Sequence, residues 1–146
     1  MCLLVDKSIK PNKPDKDGFC IGWKIIKENN SALIQDGYFY NLGLNFSSLY
    51  YDADIGPNFS IGYKRIYEGF HLFLNKNGAR KLWNFRKKRY DKDYIDNTKL
   101  IKVFYKPEDV VAYGKMEYSF SGDPINETPN VVVKKLTIKS LEGVRL

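Results

Sequence analysis

A chain of 146 residues with 43% hydrophobic and 28% charged side chains can close one hydrophobic core, so residues 1–146 are expected to form a single folded domain rather than a disordered chain. No apolar run approaches the roughly 20 residues that a membrane-spanning helix needs, and Met1-Cys2-Leu3-Leu4-Val5-Asp6 meets charge too soon to be a signal peptide. Two cysteines make no disulfide framework, and with a formal charge of +7 the expectation is a reduced, basic protein of the cytoplasm, with no membrane partner.

In chain order, residues 1–5 are short and apolar and read as a first or edge strand. Residues 6–18 hold two prolines, four lysines and three aspartates, the composition of a mobile loop. Phe19, Ile21, Trp23 and Ile25 then alternate with Cys20, Gly22 and Lys24, which predicts a strand burying the face of the first set. Asp36-Gly37 between two apolar stretches, 32–35 and 38–44, predicts a hairpin, because both central positions tolerate positive φ. Residues 61–74 read as one long strand with Ile66, Phe70, Leu72 and Leu74 on one face, and Tyr63, Arg65, Tyr67, Gly69, His71 and Phe73 on the other.

The only convincing helix is predicted at about 76–89, capped by Asn75, with Ala79, Leu82 and Trp83 as its apolar stripe. Strands follow at 100–105, 110–116 and 130–139, the last with Val132, Leu136 and Ile138 inward, and a turn falls at Pro107-Glu108-Asp109. About six or seven strands and one main helix predict an α+β fold, a mostly antiparallel sheet with the helix on one face.

Two groups of residues are candidates for function. The first is the row Tyr63, Arg65, Tyr67, Gly69 and His71. Gly69 leaves a shallow floor between a phenol and an imidazole, where a flat ring can stack while Arg65, Arg80 and Lys81 meet phosphates. The alternative is that the helix covers this face and its aromatics are core. The second is the basic decade 80–89, where Arg86, Lys87, Lys88 and Arg89 follow Arg80 and Lys81 with no acid among them. It suits an anionic partner, a nucleic acid or an acidic protein surface, or else it is a solvated helix face.

No catalytic set is expected. His71 is the sole histidine, and Glu68 points to the opposite strand face, so a His-dependent phosphoesterase or nuclease lacks a partner for its general base. Cys2 follows Met1, as in the class II glutamine amidotransferases, but Leu3-Leu4-Val5 continues as a strand. One histidine and two cysteines make no zinc site, and Asp91–Lys102 fails as a calcium loop because Asp96 and Lys102 stand where Gly and Glu are needed. No metal and no cofactor are expected.

Met1-Cys2-Leu3, the run Tyr67-Glu68-Gly69-Phe70-His71-Leu72-Phe73 leading to Ala79, and the closing Val131-Val132-Val133-Lys134-Lys135-Leu136 resemble a loose group of small phage and prophage proteins. The resemblance implies a viral or mobile-element origin and, with it, an anti-defence role in the host cytoplasm. The first expectation is then an oligomeric sponge that sequesters a signalling nucleotide of bacterial immunity. The alternatives are an inhibitor docking on a host protein, a nucleic-acid-binding module and a His71-dependent enzyme.

Overall fold

A computed structural model describes residues 2–33, 37–47, 52–54, 64–66, 69–89, 97–117 and 128–146. Among them are eleven strands and one α-helix. The strands are β1 (Cys2–Val5), β2 (Cys20–Lys27), β3 (Gly43–Phe46), β4 (Asp52–Asp54), β5 (Lys64–Ile66), β6 (Phe70–Phe73), β7 (Thr98–Tyr105), β8 (Val110–Glu117), β9 (Pro129–Val133), β10 (Lys135–Ile138) and β11 (Val144–Arg145); α1 (Lys76–Arg89) follows β6. Every pairing is antiparallel, in the order β3-β10-β7-β2-β6-β9-β8-β1-β5-β4, with β11 also on β7. The mainly-sheet architecture with one helix agrees with the sequence; the strand number exceeds the expected six or seven because two long predicted strands are broken and the short β4 and β11 are added.

The sheet curls into a ring. β2 pairs with β7 over its whole length, and β7 meets β10 at Phe104–Thr137. β10 continues from β9 across Lys134, β9 pairs with β6, and β6 returns to β2 at Phe73–Trp23. Inside this ring lies the main core, built on Cys20, Ile26, Leu72, Ile101, Val103, Val131, Val133, Leu136 and Ile138. Closing a sheet on itself lets short strands share one interior and leaves fewer free edges.

The segment expected as one strand at 130–139 bends at Lys134, and the bend changes which side chains face in. Val131 and Val133 point inward before it, Leu136 and Ile138 after it. Val132, expected inward, instead packs outside the ring against Leu3. One irregular residue shifts a period-two pattern to the other face. β2 departs from expectation in the same sense. Its inward residues are Cys20 and Ile26, with Gly22 against Leu72 and Tyr105, whereas Ile21 is 38% exposed and Ile25 faces α1.

α1 begins where predicted. Asn75 Oδ1 accepts a hydrogen bond from the Gly78 N–H, closing the first turn. Ala79, Leu82 and Trp83 then bury on the outer face of the ring, against Ile25, Phe73 and Leu100. Full burial of each large side chain contributes roughly 1.5–3 kcal/mol, enough to fix a helix with no acid in its first turn. β1 is interior, paired to β8 on one side and β5 on the other. Gly114 of β8 allows that pairing, since a Cβ there would collide with the Leu4 carbonyl.

Within the predicted 61–74 strand, the described residues form two strands. Gly69, at φ +96°, separates β5 from β6. Residues 6–18 have no regular structure, as expected, and side chains anchor them: Asn12 Nδ2 donates to the Ile21 and Leu74 carbonyls, and the Asp15 carboxylate accepts from the Asp17 and Phe19 N–H groups. In the expected 32–44 hairpin, Ala32 N–H donates to the Tyr38 carbonyl and Ser31 bridges Phe39, with Gly37 at φ +78°. The regular strand starts only at Gly43.

Candidate nucleic-acid interface

The two sequence-derived sites fare differently. Tyr63 and Tyr67 lie outside the described residues. Arg65 sits on β5 opposite Leu4 and Ala53, whereas Gly69 and His71 belong to the β6 end of the chain. Strands β9, β8 and β1 separate β5 from β6, so Arg65 and His71 do not stand in one strand row. His71 is buried at 7% exposure, on the same strand face as Phe73 and opposite Val132. The basic decade is on α1 as predicted. Arg80 is partly buried, Lys81 and Lys87 are exposed, and Arg86, Lys88 and Arg89 occupy the last turns.

Cys20 is a free, buried thiol whose Sγ–H donates to the Asn12 carbonyl. Burial first, then the nearby Asp15 charge, pushes its pKa up, the opposite of what a nucleophilic thiolate needs. Among the described residues no group of His, Cys, Asp and Glu could hold a metal, and no helix is long and apolar enough to cross a membrane.

The feature that sequence reading missed is on the outside of the ring. α1 covers only one end of the outer face of β2 and β7. Among the described residues, the rest of that face runs uncovered across β2, β7, β10 and β3, with Ile21, Leu44 and Phe46 exposed. The register sets Ile21 beside Phe104, Phe104 beside Thr137, and Thr137 beside Leu44; one step away, Lys135 stands beside Phe46. Leu44 and Phe46 are 53% and 55% exposed. Antiparallel sheets usually present polar side chains on a solvated face, so this row of rings and aliphatic groups is notable.

Lysines accompany each ring. Lys139 Nζ lies 4.1 Å from the Phe104 ring centre and 5.8 Å from that of Phe19. Lys106 stands over Phe19 at 5.4 Å and Lys135 over Phe46 at 5.5 Å. Trp23, at the margin of α1, is flanked by Lys76 at 5.3 Å and Lys102 at 5.7 Å. Each such contact contributes about 0.5–1 kcal/mol at an exposed site. Lysine stems also shield apolar surface from water. Here the shielding is incomplete, and it places five ammonium groups around four rings.

The alternation was present in the chain as Lys102-Val103-Phe104-Tyr105-Lys106 and Lys135-Leu136-Thr137-Ile138-Lys139. Those patterns announce a lysine-bearing outer face. The cross-strand register that aligns them with Phe46 and Trp23 comes from pairings distant in sequence.

One further polar group lies on the inner side. Lys24 points into the ring, donates to the His71 carbonyl at 3.0 Å and stands 5.6 Å from the centre of the Tyr40 ring. Tyr40 belongs to an aromatic cluster with Tyr38, at 5.0 Å and nearly edge-on, and Phe70, at 5.9 Å. Burial lowers the Lys24 pKa to about 8. Compared with known proteins, the chain matches no family model, no curated protein sequence and no solved structure.

Proposed function

We propose that the protein is a non-enzymatic binder of single-stranded nucleic acid, using the outer face of β2, β7, β10 and β3. The observation that carries this reading is the interleaving of Phe19, Trp23, Phe46 and Phe104 with Lys76, Lys102, Lys106, Lys135 and Lys139. Unpaired bases stack on aromatic rings at about 1–3 kcal/mol each, and lysines beside the rings meet the backbone phosphates. A duplex hides its base faces, so such a surface favours a single strand.

A small signalling nucleotide would use the same two contacts. The extent of the face favours a polymer: four strands at about 4.8 Å spacing span roughly 14 Å, room for two or three stacked nucleotides. The arginines and lysines of α1 lie beyond Lys76 and would extend the positive field along the strand.

The test is the salt dependence of affinity for an oligouridylate of about ten nucleotides. Each phosphate neutralised contributes about −0.7 to the slope of log K against log salt. With Lys76, Lys102 and Lys139 engaged, the expected slope is about −2. Binding to the same length of duplex should be much weaker. A flat salt dependence, or a preference for duplex, would contradict the proposal.

A further inference from the structure

One end of the lysine-aromatic face opens into a cleft of about 340 Å³ between the end of β7, the turn Pro107–Asp109, β10 and β3. Phe19, Lys106, Glu108, Asp109, Lys135 and Thr137 line it. Its charge differs from that of the rest of the face. Lys76, Lys102 and Lys139 have no carboxylate paired with them among the described residues, whereas in the cleft two carboxylates offset two ammonium groups.

That difference constrains the occupant. A carboxylate is an acceptor only and repels a phosphate, so the cleft is not another backbone contact. It fits a flat, uncharged group that carries donors. Lys106 and Glu108 stand at 4.0 Å with side chains 47% and 75% exposed, a loose pair that can exchange partners at little cost. Asp109 is better fixed: its N–H donates to the Lys106 carbonyl, and its own carbonyl accepts from the Lys134 N–H. The Phe19 ring supplies a stacking surface beside them.

Resting on the single-strand reading above, we infer that this cleft is a base-reading subsite that seats one unstacked guanine, with the ring on Phe19 and the Watson–Crick edge toward Glu108 and Asp109. Guanine alone among the common bases offers two adjacent donors on that edge, N1–H and the N2 amino group, which a carboxylate accepts together. Adenine and cytosine set a ring-nitrogen acceptor beside their amino group, and uracil flanks its single N–H with two carbonyls, so each turns a lone pair toward the carboxylates. Single-stranded recognition commonly reads splayed bases on this edge.

The test compares oligouridylate of about ten nucleotides with the same strand carrying one central guanine. The wild-type protein should prefer the guanine strand by roughly tenfold or more, the discrimination expected of one bidentate contact. Glu108→Gln and Asp109→Asn, checked for unchanged unfolding midpoints, should reduce that preference while leaving oligouridylate affinity equal or slightly higher. Equal wild-type binding of the two strands, or full preference retained in both variants, would overturn the cleft assignment and leave the face intact. Failure of both strands to bind would instead remove the single-strand reading, and this inference with it.

Discussion

Replacing Phe46 and Phe104 together with alanine is expected to weaken oligouridylate binding by at least about 30-fold. Each ring stacks one base, worth about 1–3 kcal/mol, and about 1.4 kcal/mol is tenfold in affinity. Phe46 is 55% exposed and Phe104 lies on the outer face under Lys139, so neither belongs to the buried core and the fold should survive their loss. Lys81→Glu with Lys87→Glu changes charge by more, yet neither lysine stands over any of the four rings, and both are exposed on α1. That pair should cost far less than the two phenylalanines. Fluorescence anisotropy with a labelled strand checks both, and the reverse ranking would move the interface to the helix.

The second large effect concerns stability. Lys24→Met is expected to stabilise the protein at neutral pH and to flatten part of its pH profile. The buried ammonium has a folded-state pKa of about 8 against an unfolded value near 10.5. Below about pH 8 both states bind the proton, and the folded state bears the whole cost of the buried charge. Between about pH 8 and pH 10.5 the unfolded chain holds more protons than the folded one, so stability rises with pH across that window. A tenfold change in proton affinity is worth about 1.4 kcal/mol, which bounds the effect at about 3 kcal/mol. Part of that gain is offset by the lost hydrogen bond to the His71 carbonyl. Urea unfolding of both proteins from pH 7 to pH 10 measures it. If the wild type shows no rise relative to Lys24→Met, the ammonium is solvated.

The helix was legible because its signals are local: an Asn cap, an apolar stripe at helical spacing and a basic polar face, all within residues 75–89. The strands were legible as strands, and their faces less so. On β2, apolar residues occur on both faces, because one side fills the ring and the other meets α1, so the period-two pattern gives no unique inside. Lys24 was hidden by that ambiguity, since a lysine between Trp23 and Ile25 reads as solvent-facing until the ring closes over it. At Lys134 a bend reverses the alternation, and no residue there marks it; a glycine would have. Gly69 was read as a floor within one strand; a glycine inside a strand pattern also signals a break, which its positive φ shows it to be. The lysine-aromatic face depends on β3, β10, β7 and β2 lying side by side, and no two neighbours among them are consecutive in the chain.

The most direct measurement of the central claim is a map of amide chemical-shift changes as a short oligouridylate is added to the isotopically labelled protein. Shifts are expected at residues 19–23, 44–46, 102–106 and 135–139, which lie on the four strands of the face and the residues leading into and out of them, with only small changes in the last turns of α1. Shifts confined to residues 80–89, or centred on Gly69 and His71, would contradict a sheet-face interface and place binding elsewhere on the protein.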